Sequence, residues 1–172
     1  YQENLEKAKQ LLSEAGYPNG QGFPSFSYLV NDNGYNKAVA EYLQSAWKEL
    51  GLNMTIDVQE WKTMTVNRRA GNYDTARNSW VYDWDNLLET NNGNNDGKYS
   101  SAEFDALVEK ARISTNREER FDLLHQAEQH MLKDYAVAPI ASQNDFWMQK
   151  ENLKNTWHSP SGYWYFMYGS KG

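Results

Sequence analysis

A strand–helix–strand pattern near the N-terminal end constrains the fold of this chain more than any other feature. The apolar run Phe26–Val30 predicts a strand, the turn letters NDNG follow it, and apolar side chains then recur at helical spacing until Gly51. The alternating run Met54–Val58 predicts a second, half-buried strand. A helix that joins two strands in this way makes them parallel, with a right-handed crossover. The sequence therefore predicts an α/β fold.

Helices and a third strand are expected on both sides of this unit. A first helix is predicted from Leu5 to Ala15, and a short helix from Trp61 to Ala70 should end at Gly71. The segment Tyr73–Trp80 predicts a third strand. Two later helices should each carry an apolar stripe, made by Phe104, Leu107, Val108 and Ala111 in one and, on a face shared with Glu128, by Phe121, Leu124, Ala127 and Met131 in the other.

The C-terminal part combines short apolar runs with an aromatic tail. AVAPI (Ala136–Ile140) and DFWMQ (Asp145–Gln149) are predicted strands, with a hairpin predicted across Ser142–Asn144. The last stretch is rich in tryptophan and tyrosine and has little periodicity.

An aromatic and acidic cluster follows the third predicted strand, in the sequence SWVYDWDN (Ser79–Asn86). Ligands of open α/β sheets bind in the crevice outside the carboxyl ends of the strands, so this position favours a binding role. From the residues alone, three interpretations stay open. Asp83 and Asp85 could form the acid pair of a glycosidase that stacks sugars on the nearby tryptophans. They could also be a solvated acidic loop, or one of them could pair with a cation on a ligand.

Composition and motifs argue against several classes of function. The net charge of −6 and the pI near 5.1, with lysines and arginines scattered, disfavour binding to nucleic acid. The absence of cysteine excludes disulfides and thiol catalysis. The sequence contains no nucleophile elbow, phosphate loop or dinucleotide fingerprint, so it predicts neither an enzyme nor a cofactor.

Metal binding is also disfavoured by the sequence. The stretch from Asn92 to Glu103 matches several positions of an EF-hand loop, but it begins with Asn and no amphipathic helix precedes it. A simpler use of SSAE is a capping box, in which Ser100 caps a helix and Glu103 reaches back. His125 and His130 lie about 140° apart around one helix and so do not share a metal. We predict that the EF-hand-like stretch from Asn92 to Glu103 is a polar connector and holds no metal.

Several segments, taken in order, resemble the extracellular solute-binding proteins of oligopeptide and dipeptide ABC importers. They are AKQLLSEAGYPNG, YLQSAWKELGLNMTIDVQEWKT, YDTARNSWVYDWDN, YSSAEFDALVEKA and REERFDLLHQAEQHMLKDYAVAPI. The resemblance runs from about Leu5 to Ile140 and matches the C-terminal lobe of such proteins. It implies an α/β, periplasmic-binding-protein-like lobe with a mixed sheet flanked by helices. We expect residues 1–155 to form this ligand-binding lobe and residues 156–172 to form an aromatic tail that packs on a lobe outside this chain.

The resemblance also implies roles for individual residues. Asp83 stands where peptide-binding members carry an aspartate that pairs with the α-amino group of the ligand, and the backbone at Val81 would hydrogen-bond the peptide as an added strand. Arg77 matches a position that meets the ligand carboxylate in some members. The remaining expected ligand-binding residues are Trp61, Trp80 and Trp84, which would wall side-chain pockets, and Asn36, which stands where some members carry a histidine near the far end of the ligand.

The function implied by the resemblance is capture of oligopeptides and their delivery to an ABC transporter permease. The expected partners are the peptide, the N-terminal lobe of the same protein and the permease. The expected location is the periplasm, or the extracellular face of the cell membrane with a lipid anchor. A carbohydrate receptor or a glycoside-acting protein that uses the same Trp and Asp residues is the alternative function.

Overall fold

The computed structural model describes residues 2–79, 88–141, 147–159 and 162–172. These residues form two compact units, one built from residues 2–79 and 96–98 and the other from the remaining described residues. The helices are α1 (Gln2–Glu14), α2 (Gly34–Lys48), α3 (Trp61–Ala70), α4 (Ala102–Ile113) and α5 (Arg117–Lys133), with a short 3-10 helix at Pro18–Gly20. The strands are β1 (Phe26–Asn31), β2 (Met54–Gln59), β3 (Thr75–Ala76), β4 (Leu153–Lys154), β5 (Trp157–His158), β6 (Trp164–Tyr165) and β7 (Ser170–Lys171).

A parallel sheet with the strand order β2-β1-β3 organises the first unit. β1 pairs with β2 along its whole length, beginning with Phe26 opposite Met54. β3 pairs with the other side of β1, where Tyr28 lies opposite Thr75. α2 connects β1 to β2 and packs against both strands. The predicted parallel strand–helix–strand unit and the predicted α/β class are therefore confirmed.

The third strand is shorter than the predicted Tyr73–Trp80. At one end a side chain takes the place of a backbone acceptor, and at the other the Arg77 N–H still donates to the Leu29 carbonyl while the Arg77 carbonyl accepts from a side chain. The carboxylate of Asp74 accepts hydrogen bonds from the backbone N–H and the hydroxyl of Ser27, at 2.7 and 2.8 Å. Beyond the other end, the carbonyl of Arg77 accepts a hydrogen bond from the side chain of Arg68 at 3.2 Å. The regular ladder is therefore confined to β3, and the last residue of the predicted strand lies outside the described residues.

The helices of the first unit begin and end where their caps dictate. The side chain of Asn33 accepts hydrogen bonds from the amides of Tyr35 and Asn36 and so starts α2. Glu60 does the same for the first turn of α3. Gly71 ends α3 with φ at 78°, in the left-handed region that glycine adopts without a steric penalty. The predicted bounds of α3 are thereby confirmed.

The apolar core of the first unit lies between the sheet and α2. Its buried residues and the apolar side chains packed around them are Tyr28, Val30, Ala40, Met54, Phe26, Leu43, Trp47 and Ile56. Leu29 is also buried, and α3 packs against β1. Because successive side chains of a strand face opposite sides, burial of three consecutive residues means that both faces of β1 are covered. This is typical of a central parallel strand.

α4 and α5 pack against each other and form the core of the second unit. The buried members of this core are Leu88, Phe104, Val108, Ala127 and Met131. The predicted stripe of α4 is confirmed, since Ala111 is buried as well and Leu107 packs against the same core. On α5 the stripe holds in part, because Phe121 is exposed beside the guanidinium of Arg117.

Ser101 is the N-cap of α4, so the prediction of Ser100 as its cap is wrong. The hydroxyl of Ser101 accepts a hydrogen bond from the amide of Phe104 at 3.2 Å and lies 2.8 Å from Nε2 of His130. The Ser100 hydroxyl instead lies 3.4 Å from that of Thr90. The sequence does not distinguish two adjacent serines as caps. In the structure, the contact with His130 of α5 is made by Ser101.

The strand predicted at Ala136–Ile140 is wrong, and so is the described part of the strand predicted at the end of DFWMQ. Both stretches are irregular, with no strand paired to them in the described ranges. Ala136 and Val137 pack against the core of α4 and α5, and Pro139 lacks the N–H that a ladder requires. The beginning of DFWMQ and the hairpin predicted across Ser142–Asn144 lie outside the described residues. The short antiparallel pairs β4–β7 and β5–β6 form in this part of the second unit.

Candidate functional site

The carboxyl ends of the three parallel strands meet at one side of the first unit, which we call the carboxyl edge. The residues that end or follow β1, β2 and β3 there are Asn31, Asp32, Gln59, Glu60, Trp61 and Arg77. α2 and α3 also begin at this edge, so the positive ends of their dipoles lie here, with first-turn N–H groups capped by Asn33 and Glu60. In open α/β sheets this is the side where ligands bind.

Arg77 supplies a half-buried cation at the carboxyl edge. Its backbone N–H donates to the carbonyl of Leu29 at 2.9 Å, and its Nη2 donates to the hydroxyl of Ser79 at 2.9 Å. Burial lowers the pKa of the Arg77 guanidinium, an effect opposed by the phenol of Tyr28. A guanidinium nevertheless stays charged at neutral pH. None of the ion pairs within the described part of the chain includes Arg77.

Trp61 presents an aromatic surface at the same edge. It is the first residue of α3 and is 51% exposed. The preceding Glu60 accepts hydrogen bonds from the amides of Lys62 and Thr63, which fixes the start of the helix and so the backbone from which Trp61 projects. An exposed indole on a fixed backbone is suited to walling a side-chain pocket.

Asn36 also lies at the carboxyl edge, but it is buried. Its side-chain amide donates to Oδ1 of Asn31 at 2.9 Å, and its backbone N–H donates to the capping oxygen of Asn33 at 3.3 Å. These contacts tie the end of β1 to the first turn of α2. A role for Asn36 at the far end of a ligand stays a prediction.

The four remaining predicted site residues, Trp80, Val81, Asp83 and Trp84, lie outside the described residues. Their roles stay predictions. Among the predicted site residues that are described, Trp61, Arg77 and Asn36 all belong to the first unit and follow the carboxyl ends of its strands.

A buried ion pair behind the carboxyl edge escaped the sequence analysis. Nε of Arg68 lies 2.7 Å from Oδ2 of Asp96, and both residues are 7% exposed. Nη1 of Arg68 donates to the carbonyl of Arg77, and the hydroxyl of Tyr73 donates to the carbonyl of Asp96. One signal could have indicated Arg68, which lies four residues after the buried Met64 and hence on the inner face of α3.

The loop compared with an EF-hand uses its polar groups internally. In the first unit, the Asp96 carboxylate that a calcium site would require is paired with Arg68. In the second unit, the buried amide of Asn95 donates to the carbonyls of Leu88, Glu89 and Tyr99 and accepts from the Tyr99 N–H. Within the described ranges, no group of three or more His, Cys, Asp or Glu side chains is arranged to hold a metal ion.

The first unit is a parallel α/β sheet with an exposed aromatic residue and a half-buried cation at its carboxyl edge, and the fold is of the periplasmic-binding-protein type. The model of the bacterial extracellular solute-binding proteins, family 5 (Middle), matches residues 1–101. Because this match covers more than half of the chain, the chain belongs to that family. The resemblance to the binding proteins of peptide ABC importers is thereby confirmed.

Individual relatives agree with this assignment. The periplasmic oligopeptide-binding protein OppA of Haemophilus influenzae is 38% identical over 144 residues, which cover 78% of this chain and 26% of that protein. The crystal structure of Haemophilus influenzae OppA in complex with RPPGFSPFR matches with a TM-score of 0.74 and 35% identity, over 80% of this chain and 28% of that one. A dipeptide-binding protein from Pseudoalteromonas sp. SM9913 in complex with Met-Leu matches with a TM-score of 0.80 and 25% identity, over 97% of this chain and 35% of that one.

The chain spans about a quarter to a third of the length of the curated relatives it matches. In the described ranges, no helix has both the length and the apolar character that a membrane crossing requires.

Proposed function

We propose that this chain is the ligand-binding lobe of a receptor that captures oligopeptides and delivers them to the permease of an ABC transporter. The names of the relatives support this proposal, since OppA proteins and a dipeptide-binding protein share the family and the fold. The same names favour peptides over carbohydrates as the ligand. The proposal includes the finer features of such receptors, namely a second lobe, a permease partner and a location in the periplasm or on a lipid anchor at the extracellular face.

The observation that carries the proposal is Arg77 at the carboxyl edge. A half-buried guanidinium that forms no ion pair with a described carboxylate is suited to an anionic group supplied by a ligand. The carboxylate of a peptide is such a group, and Arg77 can bind it through two parallel N–H donors. Trp61 then walls a side-chain pocket at the same edge.

The α-amino group of the peptide needs a fixed negative charge, because an ammonium enclosed between two lobes loses its water. We assign this role to Asp83. Removing one partner of a buried ion pair costs about 3–5 kcal/mol, which is roughly two to three decades in affinity. The peptide backbone then pairs with the backbone around Val81 as an added strand, a mode that tolerates many side chains. Binding without chemical change is the whole task in this account, so we assign no catalytic residue.

Native mass spectrometry of the full-length protein tests this function. A peptide mixture is offered in which half of the members are acetylated at the N-terminus. We expect capture of the free-amine peptides and its loss in Asp83→Ala. Asp85→Ala is the matched control, since it removes the carboxylate two residues further along the sequence and should leave capture intact.

Each alternative outcome has a defined meaning. Equal capture of both halves would assign Asp83 to a structural role. Capture of oligosaccharides, independent of any amine, would replace the peptide by a carbohydrate. Failure to capture any peptide would point to another solute on the same fold.

A further inference from the structure

Arg68 connects the interior of the first unit to the carboxyl edge. Its buried guanidinium uses two donors in different directions, Nε toward Asp96 Oδ2 at 2.7 Å and Nη1 toward the carbonyl of Arg77 at 3.2 Å. We propose that Arg68 is a positioning residue that holds the backbone of Arg77 in place, and with it the guanidinium that binds the ligand. This inference rests on the role proposed above for Arg77.

Arg77 is held from three sides, and Arg68 supplies one of them. The N–H of Arg77 donates to the carbonyl of Leu29 in β1, and its side chain donates to Ser79. The regular pairing of β3 ends at Ala76, so the carbonyl of Arg77 has no strand partner in the described residues and accepts from Arg68 instead. The direction in which the Arg77 side chain leaves the sheet therefore depends on Arg68.

Asp96 makes this arrangement electrostatically tolerable. Arg68 and Arg77 carry like charges, and the charge of Arg68 adds to the larger effect of burial in lowering the pKa of Arg77. The Asp96 carboxylate neutralises Arg68, and the Tyr73 hydroxyl holds the Asp96 backbone through a 3.2 Å hydrogen bond. Of the two arginines, Arg77 is then the one without a carboxylate partner in the described residues.

A lysine at position 68 separates the positioning role from the charge. Lysine can pair with Asp96, but its single ammonium lacks the planar fork that reaches two acceptors in fixed directions. Arg69 gives a matched control, because it is the adjacent residue of the same helix, is exposed, and can receive the same substitution. The variants to compare are Arg68→Lys and Arg69→Lys in the full-length protein.

The first measurement needs no ligand. Hydrogen–deuterium exchange, resolved to single residues, follows the amide of Arg77 and uses the amide of Asp32 as a reference. The backbone N–H of Asp32 donates to the carbonyl of Gln59 at 2.8 Å, just after the end of β1 on the same edge. We expect Arg68→Lys to accelerate exchange at Arg77 by about tenfold or more, the scale of a lost charged hydrogen bond, with Asp32 unchanged. Arg69→Lys should leave both amides unchanged.

The second measurement asks whether the positioning matters for binding. The quantity is the ratio of the Kd of a C-terminally amidated peptide to the Kd of the same peptide as a free acid. We expect a ratio of about tenfold or more in the wild-type protein and in Arg69→Lys, falling toward one in Arg68→Lys. A purely structural role would lower the unfolding temperature and leave this ratio unchanged.

The two measurements keep the two claims apart. Unchanged exchange at Arg77 in Arg68→Lys overturns the positioning role, whatever the ligand does. A ratio of one in the wild-type protein overturns the carboxylate role of Arg77 and, with it, any consequence of Arg68 for binding. If Arg68→Lys does not fold, Tyr73→Phe loosens the anchorage of Asp96 while keeping the ion pair. It should raise exchange at Arg77 by a few-fold, and no change there would count against the proposal.

Discussion

Each of the two units contains an arginine–carboxylate pair, and the pairs have the same length but different surroundings. In the first unit, Nε of Arg68 lies 2.7 Å from Asp96, and the two side chains are 9% and 7% exposed. In the second unit, Nη2 of Arg112 lies 2.7 Å from each oxygen of the Glu89 carboxylate, and these side chains are 48% and 22% exposed. Arg112 also contacts Glu109 on its own helix.

The comparison teaches that burial, and not contact length, decides what such a pair does. Water and salt screen the exposed pair. Little free energy is lost when this contact opens, because water then solvates both side chains. Breaking the buried pair leaves a charge inside the protein without a counter-charge. The buried guanidinium also holds the carbonyl of Arg77, whereas Arg112 links α4 to the loop at Glu89.

The largest effect should come from Asp96→Asn, which keeps the shape of the side chain but leaves Arg68 without a counter-charge. We expect the free energy of unfolding to fall by about 3–5 kcal/mol. Urea unfolding of the full-length protein, followed by a probe in the first unit, measures it. A loss below about 1 kcal/mol would mean that water reaches Arg68 and that the contrast between the pairs is wrong.

Glu89→Gln is the control for that experiment, because it removes the carboxylate of the exposed pair. The expected loss is about 1 kcal/mol or less, and it should shrink further in high salt. A loss as large as that of Asp96→Asn would show that the exposed pair is desolvated in solution.

A pH dependence of stability should come from Asp74, an exposed carboxylate in the first unit. The hydrogen bond from the Ser27 amide, and then that from the Ser27 hydroxyl, lowers the pKa of Asp74. Because its pKa is lower in the folded state, this contribution to stability is fully present above the unfolded-state pKa and is lost as the pH falls through the folded-state pKa. Thermal unfolding across the acid range should therefore be less pH-dependent in Asp74→Asn than in the wild-type protein. If the unfolding temperatures of the two proteins changed identically with pH across the acid range, Asp74 would not have this role.

Much of the first unit could be predicted from local patterns. The periods of two and 3.6 residues locate β1, α2 and β2, and Gly71 marks the end of α3. The extent of β3 could not be predicted, because it depends on a contact between Asp74 and Ser27, which are 47 residues apart. The strand predicted at Ala136–Ile140 failed for a related reason. An apolar run indicates that a segment is buried but not what it packs against. Here Ala136 and Val137 pack against helices and not in a sheet.

Trp61 and Arg77 were expected at the site from the family resemblance, and their roles there stay predictions. The structure places them after the carboxyl ends of β2 and β3, although Arg77 lay inside the predicted third strand. Arg68 and Asp96 were missed because the sequence does not distinguish a buried charged residue from an exposed one. Their partnership spans 28 residues and appears only once the chain is folded.

Calorimetric titration of Arg77→Gln tests the central claim, that the carboxyl edge binds the charged end of a peptide. The full-length wild-type and variant proteins are each titrated with one peptide as a free acid and as a C-terminal amide. The account predicts that the variant loses about ten- to a hundredfold in affinity for the free acid and little for the amide, because only the acid carries the anion that Arg77 binds. Equal losses for both peptides, or no loss for either, would contradict it.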